Sequence, residues 1–186
     1  MRAVLAALFF LAQPFWEAKS PDQWTDRELD LLRNSSPWAQ TVGPNPEVLV
    51  FLATARPMMA AEDETRVRAS KPAPRPDVDY LDYVREYGDR QFVLAIRYPD
   101  SRRLGDEEQR RMEQESEMLI GKKPYKIVGS FPPSPGDPVL RLLFPRAAKS
   151  TDKSVLFRLY LPGVPFPERE VEFRIKDMCV KGELEM

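Results

Sequence analysis

Histidine is absent from the 186 residues, and cysteine occurs once, at Cys179. Without imidazole there is no Ser-His or Cys-His nucleophile pair, no His-ligated haem and no His/Cys zinc site. One thiol cannot form an internal disulfide. Glycine is scarce, eight residues in all, and none falls in the spacing of a P-loop or a dinucleotide fingerprint, so no phosphate cradle of those kinds is encoded. A charge excess of either sign is missing too: 28 basic side chains face 29 acidic ones, for a formal net charge of -1. A nucleic-acid partner draws on surplus basic charge and is not expected. The Asp77-Val78-Asp79 triplet is too brief for a calcium loop. No catalytic residue, metal ligand or cofactor site emerges; carboxylates, lysines and tyrosines are the only acid–base groups left to an enzyme.

What is present is ordinary globular material, 42% apolar and 31% charged, of a length that suits one domain. Met1-Arg2 and the ten apolar residues from Ala3 to Ala12 read as a secretory signal peptide, placed over residues 1–18 with the cut after Ala12 or Ala18 left open. The run is too short to span a bilayer. The chain is therefore expected to be exported, periplasmic or extracellular, with no membrane span once the leader is removed. In such a compartment Cys179 is either buried and inert or a candidate for intermolecular pairing. Alternation with Val180 and Leu184 puts it on the outward set.

Residues 19–186 read as a single α+β domain. Its expected architecture is a mixed sheet with an antiparallel C-terminal meander and helices mainly on one face. Thr25-Asp26-Arg27-Glu28 has the form of a capping box, with Trp24 and Leu29 placed as a hydrophobic staple. Val48–Leu52 and Phe92–Ile96 are unbroken apolar runs of strand length, as expected of strands covered on both sides. Between them lie a helix entered at Pro57, the Pro-rich spacer near 71–76, and a helix ended by Gly88. A charged helix is expected from Asp106 to about Ile120, ended by Gly121. After it come strands near Tyr125, Val139–Phe144, Val155–Leu161, Glu170–Lys176 and Cys179–Leu184. Whether Asp177-Met178 is a tight turn or a bend in one strand is left open.

Tyr80, Tyr83 and Tyr87 form one helical stripe, which is either core packing or a ring face for a ligand. The Ala55-Arg56-Pro57-Met58-Met59 turn is either an adaptable contact surface or core filling. Trp24 and Trp38 are the candidate binding residues, since indole rings serve peptide or sugar partners as well as cores.

The residues Trp24-Thr25, Glu28, Leu31-Leu32 and Ser36-Pro37-Trp38-Ala39 resemble a pattern found in exported bacterial proteins associated with GWxTD-domain families. Ala55-x-Pro57 after an apolar strand and Val171-x-Phe173-x-x-Lys176-Asp177-Met178 extend the likeness, and Gln23-Trp24-Thr25-Asp26 stands where the literal motif would be. The resemblance implies export and carries no activity. The expected function is non-catalytic binding of a protein or envelope component. The alternative is a carboxylate-based hydrolase or carbohydrate-active enzyme, which would show two carboxyl groups about 5–9.5 Å apart beside Trp or Tyr.

Overall fold

A strand with both faces covered needs no polar alternation, and three runs of this chain have almost none. In the computed structural model, which describes residues 13–43, 45–69, 78–97, 104–134 and 137–186, these runs form the middle of a five-stranded sheet. They are β2 (Val48–Leu52), β3 (Gln91–Arg97) and β7 (Val139–Pro145), flanked by β1 (Ala39–Val42) and β6 (Gly129–Phe131) in the order β1-β2-β3-β7-β6. Four further strands, β4 (Glu117–Ile120), β5 (Lys123–Lys126), β8 (Ser154–Tyr160) and β9 (Glu168–Arg174), make a second sheet ordered β5-β4-β8-β9. Here alternation is strict: Arg169, Val171 and Phe173 of β9 are buried, while Glu168, Glu170, Glu172 and Arg174 are exposed. One face of the second sheet is therefore wet.

The α+β class, the single domain and the antiparallel C-terminal region are as expected. The strands, expected in one mixed sheet, instead make two sheets in which every pairing is antiparallel. The reason lies in the connection after β2. Ala53 N donates to Val93 O at 2.9 Å, so the chain leaves β2 and enters β3 at the same end. The helices between them, α3 (Arg56–Arg68) and α4 (Val78–Tyr87), are an excursion out and back rather than a crossover, which a parallel pair would require. The Pro-rich spacer at 71–76 and residues 1–12 of the expected signal peptide lie outside the described residues.

The two sheets face each other across one hydrophobic core. Phe157 of β8 sits at its centre, with ring centroids 6.0 Å from Phe92, 5.3 Å from Phe144 and 5.9 Å from Phe173. Val50, Leu52, Leu94, Leu140 and Leu142 supply the rest of the first sheet's inner face, each fully buried. At roughly 1.5–3 kcal/mol for each such side chain, this layer is the dominant favourable term. Helix α2 (Asp26–Asn34) and α3 add Leu29, Leu32, Met58 and Ala61 to the same core. Helix α5 (Asp106–Glu115) closes the sandwich between the sheets. Its Met112 is fully buried, its Glu113 accepts from Ser130 Oγ of β6 at 2.8 Å, and Ser116 Oγ just after it accepts from Tyr160 N of β8 at 2.9 Å.

Helix α5 ends at Glu115, before the expected Ile120, and Glu117–Ile120 is strand β4. Gly121, at φ +60, is thus the turn of the β4–β5 hairpin and not a helix cap. Asp177-Met178 belongs to a 3-10 turn over Ile175–Met178, after which β10 (Cys179–Val180) and β11 (Glu183–Leu184) form a small hairpin. Cys179 is half-buried, and its thiol donates to Ile175 O at 3.4 Å. Gly43 is obligatory: it sits at φ +89, and a Cβ there would stand 2.2 Å from Arg169 Nε. Arg169 is buried at that point with its Nη groups on the Glu168 and Pro165 carbonyls.

The capping box forms as expected. Glu28 N donates to Thr25 Oγ1 at 3.2 Å, and Thr25 N returns to Glu28 Oε2 at 2.8 Å. A hydrogen bond from Lys19 Nζ at 2.6 Å is the main cause that holds the Glu28 carboxyl down at about 2, with the Thr25 amide second. A carboxyl whose folded-state pKa is depressed stabilises the fold above its ordinary pKa, and that contribution fades as pH falls through the folded value. The stability gap between the wild type and Glu28→Gln, measured by urea midpoints, is therefore expected to be full above pH 4.5 and to close towards pH 2. A gap independent of pH across that window contradicts this assignment.

Candidate functional site

Strand β2 points Val48, Val50 and Leu52 into the core and Leu49 and Phe51 to the other face, with Ala53 continuing that face just past its end. On that outer face Val93 and Leu143 form a second apolar cluster under Tyr80 of α4, with Tyr83, Val84 and Phe131 around it. Tyr80 and Tyr83 meet the Phe131 ring edge-on at 5.5 and 5.6 Å. The tyrosine stripe is thus the packing face of α4, and Leu81, one position on, is left 43% exposed.

Cover on this sheet face is incomplete. Between α3 and α4 an open groove of about 420 Å³ reaches down to Phe51 and Ala53. Met59 of α3 and Leu81 of α4 form apolar walls, and Val139 and Arg141 of β7 complete the floor. The methionine pair splits between its two sequence readings: Met58 is 1% exposed in the core, whereas Met59 is 39% exposed in the groove wall. Apolar, concave and of this volume, the groove has the character of a small-molecule or side-chain pocket.

Its charges are largely paired. Arg33 Nε reaches Glu62 at 2.8 Å and Arg66 Nη1 reaches Asp63 at 2.6 Å. Arg141, buried within an apolar strand, holds Asp137 through two contacts at 2.6 and 3.3 Å, with its guanidinium 4.3 Å from the Tyr80 ring centroid. Burial raises the Tyr80 hydroxyl above its ordinary pKa, against the pull of the Arg141 charge. Arg97, exposed at the end of β3, is the fourth guanidinium at the groove, and it has no ion-pair partner among the described residues.

The two tryptophans singled out in the sequence lie elsewhere. Trp38 is fully buried with its indole N–H on Glu185 O at 2.9 Å, and Trp24 is 3% exposed. Trp16 meets Trp38 at 5.5 Å and Phe15 meets Trp24 at 5.9 Å, so helix α1 (Phe15–Ala18) is fastened to the domain through these rings. Their faces are occupied by neighbouring side chains. The groove was not read from the sequence; the one signal that could have drawn attention to it is Arg141, a single charge inside the apolar run Val139–Phe144.

A second cleft, on the wet face of the other sheet, sets Glu115, Glu168 and Glu170 beside Tyr160. That composition suits the hydrolase alternative, but its environment does not. Glu115 is 42% exposed and tied to Arg111 at 2.7 Å, and Glu170 is 62% exposed and tied to Arg158 at 2.9 Å. These carboxylates lie in a solvated ion-pair ladder that continues through Arg158, Glu117 and Lys126. Among the described residues no group of three or more Cys, Asp or Glu could hold a metal ion, and no helix is long and apolar enough to cross a membrane. Comparisons with protein-family models, with curated proteins and with solved structures found no match for this chain.

Proposed function

We propose that the chain is an exported, non-catalytic binding domain whose ligand seat is the groove between α3 and α4. The observation that carries the reading is the opening itself: on a sheet face otherwise roofed by helices, Phe51 and Ala53 are reached through a cleft of about 420 Å³ with exposed Met59 and Leu81 at its walls. Exposed apolar surface inside a concavity costs stability in the free protein and is repaid when a partner covers it. Export rests on the leader at Ala3–Ala12, and an envelope component is the partner this setting favours. A cut after Ala12 keeps Phe15 and Trp16 on the domain, whereas a cut after Ala18 removes both.

A neutral apolar dye, N-phenyl-1-naphthylamine, tests the seat without appeal to charge. The wild type is expected to enhance its fluorescence saturably, and Met59→Glu and Leu81→Glu are each expected to weaken binding about tenfold, which corresponds to about 1.4 kcal/mol. Both side chains are exposed, so folding tolerates the changes. Val128→Ser, equally exposed but outside the groove, should bind as the wild type does. Absence of saturable binding, or equal weakening by Val128→Ser, overturns the assignment.

A further inference from the structure

Resting on that reading, the geometry points to a more specific ligand: we propose that the groove takes a medium-chain fatty acid, with its carboxylate at Arg97 and its tail along β2 past Phe51 to Ala53. Three of the four guanidiniums at the groove are already neutralised, Arg33 by Glu62, Arg66 by Asp63 and Arg141 by Asp137. Among the described residues one positive charge at the groove is left without an ion-pair partner, and it belongs to Arg97. A guanidinium matches a carboxylate in shape as well as charge, through two parallel N–H donors.

The register supplies the length and the polarity. Arg97 stands opposite Leu49, Ala95 opposite Phe51, and Val93 receives the Ala53 amide. Reading down the outer face from Arg97, the floor carries an unpaired charge at one end and Phe51 and Ala53 beyond it, with Arg141 beside Ala95 neutralised by Asp137. Four residues of strand at roughly 3.3 Å each give a floor of about 13 Å, the span of an extended acyl chain of about ten to twelve carbons. The inner end meets the buried ring of Tyr80 and not solvent. A ligand with one negative head and an unbranched apolar tail satisfies both ends at once. A doubly charged head would bring more negative charge than the one unpaired guanidinium answers.

The test is competitive displacement of the neutral dye by decanoate and by 1-decanol, which share a tail and differ in the head. On the wild type, decanoate is expected to displace the dye at a concentration at least tenfold lower than 1-decanol. Arg97→Gln, with each ratio taken against that variant's own dye affinity, should bring the ratio close to one, and Arg97→Lys should restore part of the preference. Equal displacement by acid and alcohol, or a preference that survives Arg97→Gln, overturns the inference and leaves the groove as an uncharged apolar seat. Failure of the dye itself to bind defeats the underlying reading instead, so the two failures are told apart.

Discussion

Truncating Phe157 to alanine is expected to remove about 3–5 kcal/mol of stability. Its ring is the point at which the aromatic clusters of the two sheets meet. From β8 it meets Phe92 and Phe144 of the facing sheet and Phe173 of its own, and it is fully buried. Alanine deletes the ring and leaves a void between layers whose strands are fixed by their own ladders, so the site cannot close over it. Domains of this size are typically stable by only about 5–15 kcal/mol, and the loss therefore takes much of the margin. The same truncation at Phe166, which is 70% exposed, is expected to change stability by no more than about 0.5 kcal/mol. Urea unfolding of the two variants side by side checks the contrast. A small effect at Phe157 would mean that the sheets do not meet through this ring cluster.

Asp137→Ala is the second large effect, at about 3–5 kcal/mol, because it leaves the Arg141 guanidinium buried without its counterion. The Arg141 side chain is 9% exposed and that of Asp137 is 14% exposed, so water reaches neither well enough to substitute. Removing both charges is predicted to cost far less than removing one. The double variant Asp137→Ala/Arg141→Met fills the floor with a flexible apolar chain and should recover most of the loss. It still forfeits the cation–π contact with Tyr80, worth about 1 kcal/mol. A double variant no more stable than Asp137→Ala would show that the pair acts through something other than charge compensation.

Local signals in the sequence carried through wherever the physics is local. Thr25 and Glu28 cap α2 because both partners lie within one helical turn, and β9 alternates because its two faces meet different solvents. The unbroken run in β2 implied two covered faces, and both are covered apart from the groove that reaches Phe51. What did not carry through depends on partners far apart in the chain. Glu117–Ile120 continues the pattern of α5 well enough to pass for helix, and its pairing with distant Val155–Arg158 as well as with Lys123–Lys126 makes it a strand. The tryptophans attract attention by type, yet Trp38 is fixed by Glu185, a residue 147 positions away. The groove is the clearest case. Phe51, Met59, Leu81 and Arg97 come from four separate elements, and no spacing rule joins them before the fold does.

Amide hydrogen exchange with and without saturating N-phenyl-1-naphthylamine tests the location of the binding seat most directly. Added protection confined to α3, α4 and the strands beneath them, β2 and β3 near Phe51 and Arg97, is the expected result. Protection centred instead on the recess by Trp16 and Trp24, or on the wet face around Tyr160, would contradict it.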